Sequence, residues 1–543
     1  MSTASTEGDG RLHRRLLPVA GGCLAAAAGA LIAVGCFLGL YVRPTSDDWC
    51  AAWKSRDLGV LGITHDFYTT QNGRITNAFL SGIVYGDGFA GVKILPTVIV
   101  VAFTAGLVLL GIQLFRQLGR TPRVLLLVAG ALAVQALVYF GGTRTYQVLL
   151  WAPATISHTL PSVIGVWALL LAVWTVRQPR AGIRACGFAA AFLIGFAIGT
   201  LSESFALVSG LLAGVLALLT LPPFKLARTW HPFTWCLLWC AGVVCGLTVL
   251  YTSPGARWRR AQQPARESML SAGELRGTYE DWLRMWDSVT GQGAYLGAAA
   301  VGILLGLAAG IGAAAPGKRA AGRAAPRGML VALLLLPVPV VVLGSFAVVL
   351  GLRSGYGPTG WTYARTWTNY LVPMELALCV YGVLLGVWAR RFLARRGTAA
   401  MAVPAGVVAA TALALASLAV LVPNVKQLTT ATVTRAVAWD AQNSRIRTEA
   451  AAGATDLGYR PMHIGSLAEP FYTSDYRRDW VAACISDWYG IERISPRCRG
   501  ARVRPVHGRP SALRCFPSAL AGLGRPHGTG RSGLIRQDPK ETA

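Results

Sequence analysis

The stretch LLPVAGGCLAAAAGALIAVGCFLGLYVRPTSDDWCAAWKSRD, Leu16–Asp57, decides the fold. Its first part, Leu16–Val42, carries no charge, and a run of roughly 20 apolar residues is what a helix needs to cross the hydrocarbon core of a bilayer. Its second part turns polar at once, with Asp47 and Asp48 directly after the span. Ionisable groups at membrane depth are costly unless they are used. An acidic pair at the point where a span emerges therefore points to chemistry at the membrane surface rather than to anchoring.

The rest of the chain has the same character. With 54% hydrophobic and 14% charged residues over 543 positions, it is too apolar for a soluble protein of this size. Eleven segments read as spans, near 17–42, 93–115, 124–141, 159–176, 185–201, 205–221, 233–251, 292–314, 328–350, 369–388 and 398–422. Residues 186–221 form one almost continuous apolar run, too long for a single crossing and broken only by Ser202, Glu203 and Ser204. Bracketed by Arg184 and Lys225, the run must cross twice if both ends are cytoplasmic. The expected fold is an all-α polytopic membrane protein with about eleven transmembrane helices.

Lys and Arg concentrate in short loops on the cytoplasmic side of membrane proteins. The five proposed inner loops, Arg116–Arg123, Arg177–Arg184, Pro222–Pro232, Pro316–Arg327 and Ala389–Gly397, hold sixteen Lys and Arg and no Asp or Glu. Together with Arg11, Arg14 and Arg15 this places the N-terminal tail, residues 1–16, inside the cell. Eleven spans then place the C-terminus outside. Much of the net charge of +27 is thereby topogenic and faces anionic headgroups, and no nucleic-acid partner is needed to account for it. The first span exceeds the apolar core of a cleavable signal and reads as retained.

Cysteines divide by location. Cys23, Cys36, Cys186, Cys236, Cys240, Cys245 and Cys379 lie in apolar runs, where thiols act as small hydrophobes. Cys50, Cys484, Cys498 and Cys515 fall outside, where disulfides form, and Cys484 with Cys498 is the expected pair.

The outer loops carry the functional candidates. Loop 43–92 mixes Asp47, Asp48, Asp57, His65, Asp66, Asn72, Arg74 and Asp87 with Trp49, Trp53, Phe67 and Tyr68. Carboxylates and amides bind hydroxyls while aromatic faces pack on sugar rings, so the mixture suits a polyol; the competing reading is an interfacial aromatic belt. Loop 252–290 opens with Ser253-Pro254-Gly255-Ala256-Arg257 and continues to Arg259 and Arg260. Guanidiniums can clamp phosphate bidentately, against the plainer reading of snorkelling to headgroups. Loop 351–368 adds Arg353, Tyr363 and Arg365, and loop 142–158 adds Arg144, Tyr146, Trp151 and His158. Glu203 sits in an apolar hairpin, where leaving it unpaired would cost several kcal/mol. Arg257 and Arg365 are both candidates to pair with it. The nucleotide-binding pattern G-x-x-x-x-G-K-[ST] and the nucleophile pattern G-x-S-x-G are both absent.

An inside N-terminus, an acidic pair opening the first outer loop, the Asn72-Gly73-Arg74 element further along it, ten or more spans and an external C-terminus resemble the GT-C class of membrane glycosyltransferases. Within it the likeness is to bacterial membrane proteins related to the O-antigen glucosyltransferases, which share an S-P-G-x-x-R-like element after a mid-chain span. Here that element is Ser253–Arg257, with Arg257 and Arg259 both candidates for the arginine. The likeness covers residues 11–425 in topology and a few short motifs in sequence, and the stretch Trp151–Pro161 departs from the family pattern.

The resemblance implies inverting transfer of a sugar from a polyprenyl-phosphate donor to a glycan or lipid acceptor outside the cytoplasm, which fits the missing nucleotide motifs. Asp47 or Asp48 would take the acceptor's proton, and Arg257 and Arg365 would hold the leaving phosphate. Asn72, Arg74, Glu203, Arg259, Tyr363 and His158 would contact substrate. The residues point to no particular cofactor; a divalent cation on the carboxylates is allowed, although two adjacent Asp residues alone make a poor site. The competing classes are a lipid or solute transporter or flippase without catalysis, and another membrane transferase such as an acyltransferase. Midplane charge and internal repeats, the marks of transporters, are not evident.

The last 121 residues, 423–543, form an external piece. Residues 428–452 read as a helix ending at Gly453, and 475–490 as a short helix with Trp480 and Trp488. Together, within 423–499, they are expected to make a small α or α/β cap. The tail 500–543, rich in Arg, Pro and Gly, reads as disordered.

Overall fold

The computed structural model describes residues 3–117, 121, 123–221, 229–262, 268–309 and 327–497. The basic loop residues 118–120, 122, 222–228 and 310–326, the segment 263–267 of the long outer loop, and the tail with Cys498 and Cys515 lie outside the described residues.

Almost every ordered segment is a helix, as lipid requires, because a helix satisfies all its backbone groups within one segment. Eight helices are long and apolar enough to cross a membrane: Arg15–Gly39, Ala90–Arg116, Ala152–Thr175, Ala181–Gly199, His231–Thr252, Leu333–Thr362, Ala364–Arg395 and Ala399–Ala451. Three of the eleven apolar runs are filled differently. Val124–Phe140 and Glu203–Leu219 are helices of 17 residues each. Gly293–Ala308 is joined to the amphipathic helix Ala272–Thr290 across a 67° bend.

Two pairs of helices approach closely through small residues, the usual device where no hydrophobic force draws helices together in lipid. Gly195 and Gly199 face Gly242 and Gly246, and a Cβ on Gly242 would lie 2.1 Å from the Phe192 carbonyl. Gly302 and Gly306 face Gly382 and Gly386 in the same way, with a Cβ on Gly302 landing 2.0 Å from the Cys379 carbonyl.

The C-terminal piece is described to residue 497. Val422–Ala451 is a long helix, followed by Gly453 at φ +87°. Trp480–Tyr489 is a second helix, and Asp456–Tyr459 pairs in parallel with Arg493–Pro496 as a two-stranded sheet. This piece packs on the Asp47–Asp66 helix around Trp49, Trp439, Tyr459 and Ile485. A disulfide joins Cys50 to Cys484, correcting the expected Cys484–Cys498 pair. The two partners are 434 residues apart, and only the docking of the C-terminal piece brings them together.

Candidate functional site

The chain leaves its first long helix at Gly39 and begins the next at Asp47. The connecting turn is fixed from outside. The Arg435 guanidinium donates to the carbonyls of Arg43 at 3.0 Å, Pro44 at 2.7 Å and Met462 at 2.7 Å. It also pairs with Glu469 at 3.3 Å, and Glu469 accepts from the Thr45 hydroxyl at 2.6 Å. Arg43 makes a two-pronged bond to Asp440 at 2.7 and 2.8 Å. These contacts hold Ser46 at φ 53°, a conformation rare outside glycine, and so set where Asp47 stands.

The acidic pair divides into unlike halves. Asp48 is sealed, at 0% exposure, accepting hydrogen bonds from the Tyr85 hydroxyl and, at 3.0 Å, from the Thr45 amide. Burial pushes its carboxyl up to about 7 against those two hydrogen bonds, and the Asp47 charge adds to the rise. Asp47 keeps an exposed side chain, yet desolvation is the largest influence on its carboxyl and raises it. Water reaches this carboxylate, but protein crowds it on most sides. The charges acting on it, strongest first, are Arg365, Arg259 and Arg74.

Each of these cations is placed by its neighbours. Asn72 accepts from the Arg74 amide at 3.1 Å, and Gly73 turns at φ +75°; the guanidinium then meets Glu203 through Nε at 3.0 Å and Nη2 at 2.8 Å. Glu203 opens its own helix, where a negative charge is favourable. Its partner is Arg74, not Arg257 or Arg365 as expected, because the turn after Asn72 delivers Arg74 to that helix end. Arg365 lies between the rings of Trp151 and Tyr363, 5.2 and 4.9 Å from their centroids, and donates to Gln147 Oε1 at 3.0 Å. Gln147 in turn donates to the Gly465 carbonyl of the C-terminal piece.

Arg257 and Arg259 share the short helix Pro254–Ala261, where residues two apart point away from each other. Arg259 is the one whose charge reaches Asp47; Arg257 is exposed and makes no ion pair among the described residues. Of the two arginines expected near the acidic pair, the charge of Arg365 acts on Asp47, and the second such charge from beyond the first outer loop is that of Arg259, not of Arg257. His158, half-buried in the π-helical turn Thr155–Thr159, contacts the Asn369 amide at 3.4 Å and feels the charges of Arg365 and Arg74. Tyr363 stacks on Tyr356 at 4.4 Å.

The two short motifs interlock. A Cβ on Gly73 would lie 2.2 Å from Ser253 Oγ and 2.5 Å from the Leu250 carbonyl, and one on Gly255 would lie 2.6 Å from the Gln71 amide nitrogen. The loop that aims Arg74 and the helix that carries Arg259 thus meet backbone to backbone. Gly255→Ala is expected to destabilise the protein by about 1–3 kcal/mol, because backbone cannot swing aside as a side chain can. A thermal melt of the purified variant checks this, and an unchanged melting temperature would count against the interlock.

Several expectations need correction. Trp49, at 0% exposure, is core rather than a sugar platform, packed among Phe89, Trp439, Tyr459 and Tyr489; Trp53 packs against the same cluster. Tyr85, Gln147, Arg435 and Glu469 went unread as parts of the site. Only an ionisable pair buried far apart in sequence distinguishes the last two, and single-sequence patterns do not display such pairs. Among the described residues no group of three His, Cys, Asp or Glu could hold a metal ion.

Compared with known proteins, the chain matches no family model, no curated protein and no solved structure.

Proposed function

We propose that this protein is a membrane glycosyltransferase of the GT-C type, moving a sugar from a polyprenyl-phosphate carrier to an acceptor at the extracytoplasmic face of the cell membrane. The observation that carries the reading is the cleft in which one reachable carboxylate, Asp47, stands within electrostatic reach of Arg365, Arg259 and Arg74. The acceptor hydroxyl attacks the anomeric carbon, Asp47 takes its proton, and the bond from that carbon to the phosphate oxygen breaks with inversion. The leaving polyprenyl phosphate carries off the bonding pair. Arg365 and Arg259, neither paired to a carboxylate within ion-pair distance among the described residues, meet that charge. Arg74 is already engaged by Glu203 and orients rather than neutralises. Tyr363 and His158 line the approach, and the buried Asp48 fixes the helix start from which Asp47 projects.

Eleven crossings, counting the two 17-residue helices and the bent pair, put the N-terminus inside and the cleft outside. The sixteen-to-none charge bias of the inner loops supports this sidedness, as does a disulfide beside the cleft, since disulfides persist in oxidising compartments. The 67° break after Thr290 is a feature that favours the transporter reading, because transporters use interrupted helices at their sites. Mass spectrometry of envelope glycans tests between the two. Loss of one sugar unit from a glycan or lipid in cells lacking the protein is expected, and an unchanged profile would remove the transferase reading.

A further inference from the structure

We propose that the groove between the Leu160–Thr175 and Ala181–Gly199 helices binds an anionic glycerophospholipid. A cavity of about 610 Å³ opens there, within the range of roughly 300–1,000 Å³ typical of small-molecule sites. Leu171, Trp174, Ile183, Cys186 and Ala190 line it, and its wall is almost wholly apolar. Water would find too few polar partners in such a space, whereas an acyl chain fills it at no hydrogen-bonding cost. Trp174 is 50% exposed on its edge. Gly187 closes the floor, where an added Cβ would lie 2.6 Å from Thr175 Cγ2.

The rim selects the headgroup. Arg180 stands at the mouth, with Arg177 before it in the connection and Arg184 after it in the first turn of the Ala181–Gly199 helix. Arg177 is bonded to Gln113 at 2.8 Å, while Arg180 and Arg184 are exposed and make no ion pair among the described residues. No Asp or Glu occurs from Gly88 to Ser202, so no carboxylate of these elements or their connections offsets the cations. An apolar slot under an uncompensated guanidinium complements a lipid with one or two acyl chains and a phosphate bearing net negative charge. The site lies about 25 Å along the helix axis from His158, at the opposite end of the bundle from Asp47, and does not depend on the proposed reaction.

The test is native mass spectrometry of the purified full-length protein offered equal amounts of phosphatidylglycerol and phosphatidylcholine. Preferential retention of a phosphatidylglycerol is expected, weakened about fivefold by Arg180→Gln, as the loss of one interfacial cation implies. Gly182→Leu, at a position where an added Cβ meets nothing within 4 Å, is expected to obstruct the mouth and lower retention while leaving the helical circular dichroism unchanged. Equal retention of the two lipids, or an undiminished preference for phosphatidylglycerol in both variants, would overturn the assignment.

Discussion

Arg435→Met is expected to destabilise the protein by about 3–5 kcal/mol, the usual cost of stranding one member of a buried ion pair. The Arg435 side chain is 5% exposed and that of Glu469 is 0% exposed, so neither finds water when the other is removed. Three backbone carbonyls lose their donor in the same step. The effect has a pH signature. Burial already raises the Glu469 carboxyl, and without Arg435 it rises further. A carboxyl whose folded pKa exceeds its unfolded value destabilises the fold as pH climbs from that unfolded value, about 4.3, toward the folded one. The deficit of Arg435→Met is therefore expected to shrink as pH approaches 4, and the double variant Arg435→Met/Glu469→Leu to recover part of it. Thermal melts at several pH values read both. A melt within 1 °C of wild type at neutral pH would mean that Arg435 does not hold the turn before Asp47.

The membrane helices were legible because lipid imposes a length and a composition that few soluble segments share; the described part of each apolar run is mostly helical, and eight helices are long and apolar enough to cross. What composition does not encode is the course of a helix, so the bend between Thr290 and Gly293 went unread. The glycine crossings follow from packing alone, since the spacing Gly195-x-x-x-Gly199 says nothing of which helix it meets. Within the site, the argument that arginine at an outer membrane edge runs against the charge bias singles out Arg257, whereas the charges that act on Asp47 are those of Arg365, Arg259 and Arg74, which depend on how the loops fold together. Asp47 and Asp48 were legible as a pair but not as unlike partners; their difference comes from Tyr85 and Thr45, which close over one and not the other. Trp49 looked like a sugar platform only because the piece that buries it arrives from nearly 400 residues away, with Trp439 and Tyr459. The strands of that piece are four residues each, too short for an alternation to register.

Asp47→Asn is expected to slow sugar transfer by about 10²–10⁴-fold, the worth of a positioned general base. Asn keeps the shape and the start of the Asp47–Asp66 helix but cannot take the acceptor's proton. The base acts deprotonated, so the rate should fall as pH drops through its pKa. Because desolvation raises that carboxyl, the fall is expected at a pH above the ordinary carboxylate value of about 3.9. Arg365→Gln should slow transfer too and should move the acid limb to higher pH, since it removes a charge that lowers the Asp47 pKa. The most direct measurement is release of polyprenyl phosphate from a polyprenyl-phosphate-linked sugar by purified wild type and Asp47→Asn, with melting temperatures taken in parallel. A folded Asp47→Asn protein that has lost at least a hundredfold in turnover is the predicted result; one that turns over at close to the wild-type rate would contradict Asp47 as the base.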